Sequence, residues 1–378
     1  MNARDKAASD ALALAKMLAK KFSPRASAAD RRGELPKEDV QDLKTSGYLG
    51  LGIPKEFGGW GLSLAECVAA QLELSRGSPS TALVVAMTLH VMGHAGETQV
   101  WSKEHYENLC CEVVKGSLVN AVASEPRLGS PSRGGLPDTF AVRDGNNLVI
   151  NGHKTWTTGG AHLDHLLVRL RLDDEAVTGW IPANTPGLRW EKTWGDALSL
   201  RASDSHDLFL ENVVISQDKI LETPKTKSSP NVWFPLLIGA TYLGVAFAAR
   251  DETVRYAKER VPSALGQPIA TLPAVQRQLG EIELALESAK ALLTQVSLEG
   301  SSSSREDSSF PPRANGAKQL CVETAIEVTD KCLRLAGAAG LHKDLSLERY
   351  FRDVRAGLMH PPSREGVLEG LGKTAVGL

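Results

Sequence analysis

The spacing of apolar residues changes twice along the chain, and each change predicts a change of architecture. Up to about residue 95 the period is helical: Leu14, Met17, Leu18 and Phe22 recur at three- and four-residue intervals. Pro36-Lys37-Glu38-Asp39 opens a second helix with its acids in the first turn, where the helix dipole favours negative charge. Ser63-Leu64-Ala65-Glu66 reads as a capping box ahead of a third helix. Residues 78–92 predict a fourth, with Leu83, Met87, His90 and His94 near one face.

From about residue 118 to 220 the period falls to two. Runs at 118–124, 140–143, 147–151, 165–172, 179–182, 188–194 and 206–214 predict short strands, and Asp144-Gly145 a tight hairpin between the second and third. From residue 231 the helical period returns, with helices expected over 231–259, 272–298, 315–336, 345–357 and from about 364. In the third of these Cys321, Ala325, Val328, Cys332 and Leu335 share a face, as a four-helix bundle requires. The serine-rich stretch 299–312 reads as a mobile loop. The expected organisation is α+β: a helical domain over 1–117, a small β-barrel or sandwich over 118–225, and a helical bundle over 226–378.

Composition narrows the function. With 378 residues, 42% hydrophobic and 23% charged, and a net charge of −2, the chain has an ordinary globular balance. It lacks the cationic footprint of a nucleic-acid or anionic-membrane binder. Five cysteines without a CxxC pair suggest reduced thiols and a cytoplasmic setting. The N-terminus carries Asp5 and Asp10 and no continuous apolar run, so it reads as a helix and not as a signal peptide. Residues 232–249 are free of charge and approach membrane-spanning length, but Pro235, Gly239, Thr241, Tyr242 and Gly244 interrupt them. A helix apolar on all sides is also what the centre of a bundle requires.

Residues 370–374, Gly-Leu-Gly-Lys-Thr, look like the end of a phosphate loop, but Val367 replaces the first glycine and no strand precedes them. His162 and His165 read as a solvated pair, and no metal site is expected. The stretch 118–160 is richer. Trp156 offers a flat apolar wall, and Ser124, Ser130 and Thr158 offer hydroxyls, the combination a flat redox cofactor needs. The same residues also suit a hairpin core aromatic and turn formers.

Val122-Ala123-Ser124-Glu125-Pro126 with Gly129-Ser130, then Asn151-Gly152-His153-Lys154-Thr155-Trp156-Thr157-Thr158, resembles the flavin-facing β domain of the acyl-CoA dehydrogenase superfamily. Gly52-Ile53-Pro54-Lys55-Glu56-Phe57-Gly58-Gly59-Trp60-Gly61, Arg201-Ala202-Ser203, Glu211-Asn212-Val213, Arg260 to Gln267 and Arg352-Asp353 follow in that family's order. The resemblance implies the family's three-domain fold, a homodimer or homotetramer, and bound FAD. It places Ala123, Ser124, Ser130, Trp156 and Thr158 around the flavin, and Arg260, Arg334, Gly337 and Ser363 on its ADP half.

The pattern breaks at the catalytic base. The family's glutamate position falls on Pro361, and the alternative position on the long central helix falls on Phe234. The nearest carboxylates in sequence are Glu365 and Glu348. Gly357-Leu358-Met359-His360-Pro361-Pro362 is instead similar to the His-x-x-His-Asp-Pro segment of the superfamily's two-component flavin monooxygenases. That similarity gives His360, with His90 from the helical domain, the task of managing oxygen at a reduced flavin, which a partner reductase can supply. It leaves a dehydrogenase of acyl-CoA or carrier-bound acyl thioesters, passing electrons to an electron-transfer flavoprotein, as the alternative. A third is a non-catalytic flavin or acyl-binding scaffold.

Overall fold

The computed structural model describes residues 3–128, 135–221, 230–301 and 308–377. Ser130 and residues 302–307 of the serine-rich stretch lie outside them. Helices α1 (Ala3–Arg32), α2 (Lys37–Ser46), α3 (Leu64–Ser75), α4 (Pro79–Thr98) and α5 (Lys103–Val114) come first. The expected capping box is present: Ser63 accepts from the Glu66 N–H, while the Glu66 side chain accepts from the Ser63 N–H. Met17 does not join the core. The buried stripe of α1 runs through Ala11, Ala15, Leu18 and Phe22, so small residues continue the helical period and Met17 faces solvent. Helix α5, which was not expected, buries Leu109, Cys110 and Val113; a Ser102 cap accepting from the His105 N–H starts it.

Seven strands follow: β1 (Val119–Val122), β2 (Phe140–Asp144), β3 (Asn147–Thr157), β4 (His165–Leu172), β5 (Glu175–Pro182), β6 (Leu188–Glu191) and β7 (His206–Ser216). They make one sheet, ordered β1-β4-β2-β3-β7-β6, with β5 on the other edge of β4. β4 is the branch point. Its first half pairs in parallel with β1, from Val119↔His165 to Val122↔Val168, and its end pairs with β2 at Phe140↔Arg171 and Ala141↔Leu172. Between β1 and β2 the ladder is interrupted opposite Arg169 and Leu170.

A buried ion pair fills the interruption. Lys154 on β3 donates to Glu125 at 2.6 Å and to the Arg169 carbonyl at 2.5 Å, while Glu125 accepts the N–H groups of Asp138 and Thr139. Both side chains are almost inaccessible to solvent. Burial opposes the Glu125 charge, but Lys154 and Thr139 outweigh it and hold the carboxyl below its ordinary range.

The bundle comprises α6 (Trp233–Glu259), α7 (Pro273–Gly300), α8 (Phe310–Ala336), the short α9 (Leu347–Asp353) and α10 (Arg364–Ala375). Residues 370–374 are simply part of α10. The apolar stretch in α6 is a core helix: 89% of its most hydrophobic window is buried, against α3, α4, α7 and α8. α4 approaches α6 closely at Gly93, where a Cβ would stand 2.4 Å from the Trp233 ring. The approach places His90 of α4 beside Phe234, the residue after that tryptophan.

Removing one partner of a buried pair strands the other charge at a cost of about 3–5 kcal/mol. Lys154→Met should therefore lose about that much stability in denaturant unfolding, and a loss below about 1 kcal/mol would show that the interrupted ladder closes without the pair.

Candidate functional site

Three parts of the chain meet in a series of hydrogen bonds. Thr88 of α4 donates its hydroxyl to the Val119 carbonyl at 2.9 Å and accepts the Val119 N–H at 3.1 Å, joining α4 to β1. Asn120 donates to the Thr158 carbonyl, and the Thr158 hydroxyl lies 2.9 Å from that of Ser205, which is 2.8 Å from that of Ser203. The turn 200–204 that carries these serines is flanked by Leu200 and Asp204, both in the left-handed region. Asp353 at the end of α9 accepts the Leu200 N–H at 2.8 Å, and Ser199 donates to its carbonyl at 2.7 Å. Burial pushes the Asp353 carboxyl up to about 6. Asp204 accepts the Leu35 N–H, tying in the helical domain.

On the β side the sequence-predicted residues converge. Ser124 accepts the Thr155 N–H at 3.0 Å, so Ala123 and Ser124 lie alongside the end of β3. Trp156 sits where the β3/β7 register slips between Lys154 and Thr157, has φ of 55°, and is 55% exposed. A tryptophan in that conformation costs about 1 kcal/mol or more and is re-aimed out of the sheet. Among the described residues the buried hydroxyls of Thr155 and Thr157 and the Asn120 Oδ1 have no hydrogen-bond partner. An exposed aromatic face bordered by unfilled polar groups fits the wall and edge of a flavin ring.

On the bundle side Phe234 stands beside both predicted histidines. Its ring centroid is 5.0 Å from that of His90 and 6.3 Å from that of His360. Asn231 fixes the His90 tautomer. Its Oδ1 accepts the Phe234 N–H, so its amide N–H faces the His90 Nδ1 at 3.1 Å and the ring carries its proton on Nε2. His360 is the opposite case. Its Nδ1 lies 3.1 Å from the Ala356 carbonyl, which can only accept, and 3.0 Å from the Tyr242 hydroxyl. Nδ1 therefore carries the proton and Nε2 a lone pair. Among the described residues no protein group hydrogen-bonds either Nε2. Burial, with His94, lowers His90 to about 3; burial, with the Lys318 charge, lowers His360 to about 4.

The other predicted residues lie elsewhere. Arg260 ends α6, roughly 40 Å along the helix from Phe234 at 1.5 Å per residue. α8 runs parallel to α6, with Lys318 against Gly239 and Cys332 against Thr253, so Arg334 and Gly337 are at that same far end. All three are exposed, and Arg334 pairs with Asp330. All three therefore stand at the end of the bundle remote from Phe234, a placement set by the direction of α8 relative to α6, which is invisible in sequence. Ser363 caps α10 and accepts the Gly366 N–H. Glu365 is exposed in the next turn, and Glu348 pairs with Arg352. His162 and His165 are not a solvated pair: His162 faces Asp204, while His165 is largely buried and accepts from the Trp180 indole. Sequence reasoning missed Tyr242 and Lys318, although Lys318 could have been found as the single charge on the apolar face of Cys321, Ala325, Val328 and Cys332.

Family models for the N-terminal, middle and C-terminal domains of acyl-CoA dehydrogenase match residues 11–100, 120–213 and 236–363. YdbM of Bacillus subtilis, a protein named for acyl-CoA dehydrogenase, is 38% identical over 95% of this chain and 94% of its own. Butyryl-CoA dehydrogenase of Megasphaera elsdenii superposes with a TM-score of 0.87 at 21% identity, covering 100% of this chain and 99% of that one. TdsC of Paenibacillus sp. A11-2, solved with FMN and indole, gives 0.87 at 24% identity, covering 97% of each chain. At such identities these two likenesses speak for the fold. Three domain models in order and a relative similar over nearly the full length together show that the chain belongs to the acyl-CoA dehydrogenase family.

Proposed function

We propose that this chain is a flavin-dependent oxidoreductase of the family's oxygenating kind, acting without a carboxylate base. The observation that carries the proposal is the packing of both His90 and His360 on Phe234, with Phe234 and Pro361 at the positions where a glutamate was expected. A flavin when bound supplies electron transfer with substrate or oxygen. The chain supplies position and protons. Trp156 walls the ring, and Thr158, fixed through Ser205, offers a hydroxyl at its edge. The Nε2 of His360 accepts a proton, the Nε2–H of His90 donates a hydrogen bond, and Phe234 packs against both rings.

The cofactor on this reading is FAD, or reduced flavin delivered by a partner reductase. Arg260, Arg334, Gly337 and Ser363 serve its phosphate end. Because the first three stand at the far end of α6 and α8, they meet the cofactor only across a second copy, in keeping with a homodimer or homotetramer in a cytoplasmic setting. The likeness to YdbM favours a second reading, dehydrogenation of an acyl thioester with electrons passed to an electron-transfer flavoprotein. Against it, Glu365 is exposed and Glu348 is occupied by Arg352.

When the reduced, flavin-loaded protein is mixed with oxygen, His360→Ala should speed hydrogen peroxide release on the order of tenfold, the equivalent of one lost hydrogen bond. An unchanged rate would remove His360 from the oxygen chemistry. Under anaerobic conditions no acyl-CoA in a chain-length panel should bleach the oxidised flavin; bleaching would establish the dehydrogenase reading. Both histidines are held below their ordinary 6.5, so between about pH 6.5 and pH 4 the unfolded chain binds protons that the folded chain refuses. Their contribution to stability is full above that window and is lost as pH falls through it. His90→Gln and His360→Gln should each flatten the acid slope in urea unfolding, and parallel slopes would contradict the buried neutral state.

A further inference from the structure

Lys318 is fully buried on α8, and among the described residues no carboxylate pairs with it. Its Nζ donates instead to two backbone carbonyls, that of His360 at 2.7 Å and that of Pro362 at 3.1 Å. The segment between them is peculiar in having no donors of its own: Pro361 and Pro362 carry no N–H, so backbone bonds from these residues cannot hold the turn. A buried ammonium without a counter-ion is expensive, and two carbonyl dipoles converging on it are what offset the cost.

We infer that Lys318 is a positioning residue for His360, a buried cation that fastens the proline turn by two carbonyls and so fixes where the imidazole stands against Phe234 and Tyr242. The inference deepens the oxygenating reading and rests on it for its purpose, but not for its test. Its electrostatic side is consistent with the geometry: burial lowers Lys318 to about 8, and its charge is the second cause, after burial, of the low value of His360. The titratable groups that face the pair are few. Tyr242 comes from α6, with its phenol pushed well up by burial; His90 comes from α4 across Phe234; Cys321 lies on α8 itself, raised to about 12. Glu323, a turn along α8, is engaged by Arg364.

The test is the ring resonances of His360 in histidine-labelled full-length protein, assigned by their loss in His360→Gln. From about pH 6 to about pH 9.5 this ring stays neutral, so by itself it has no reason to shift. The expected result is an inflection near 8, where Lys318 loses its proton and loosens the turn. It should vanish in Lys318→Met, and also in Lys318→Gln, which keeps a donor for the carbonyls but no charge. A wild-type ring with no alkaline inflection, or an inflection that survives in both variants, overturns the assignment without any variant needing to be active. If the inflection is present but oxygen releases peroxide equally fast from wild type and His360→Ala, the oxygenating reading fails and the positioning role stands.

Discussion

A sheet with a gap in one ladder has backbone groups facing nothing, and such groups are tolerated only when something else satisfies them. In this chain β4 exchanges one partner for another between Val168 and Arg171, and the Lys154–Glu125 pair occupies the gap. Lysine donates to the Arg169 carbonyl, glutamate takes the N–H groups that lead into β2, and each neutralises the other. The two residues adjoin Ser124 on one side and Thr155 and Trp156 on the other, so the pair that closes the sheet also holds these two segments together.

The same economy recurs at the meeting of sheet and bundle. Asp353 takes the Leu200 N–H at the start of a turn whose two ends are left-handed residues other than glycine, a conformation the surrounding contacts must impose. Within and just beyond the turn, Ser203 and Ser205 lead by hydroxyls to Thr158; before it, Ser199 accepts the Ala356 N–H four residues ahead of His360. The β edge and the histidine cluster are therefore set relative to each other by one short, strained turn. Neither side could move without breaking hydrogen bonds that are shielded from water.

How much of this was legible in the sequence follows from distance along the chain. Helices, strands and the Ser63 capping box depend on neighbours a few residues away, and their signals stood in the spacing. The approach of Ser124 to the end of β3 spans a few dozen residues, and the motifs on either side of it stood in the sequence. Contacts such as Ser199 with Asp353, 154 residues apart, left no local trace. The common position of Arg260, Arg334 and Gly337 at one end of the bundle has a related cause, since it depends on α6 and α8 running parallel. Met17 failed because alanines buried as well as the larger residue it was taken for. Ser130 lies outside the described residues.

The two imidazoles beside Phe234 share one environment. Burial around Phe234 penalises charge of either sign, which is why His90 and His360 fall to about 3 and about 4. The same burial would raise an acid placed there, as it raises Asp353 to about 6 a few residues away. Such a surrounding suits groups that work uncharged. A neutral imidazole is one, able to offer a donor or a lone pair according to which nitrogen holds the proton. Asn231 settles that choice for His90 and the Ala356 carbonyl settles it the other way for His360, so two residues of one type present opposite hydrogen-bonding faces beside a single phenyl ring. A pair of glutamates in the same pocket could not divide the work in that way without one of them taking up a proton.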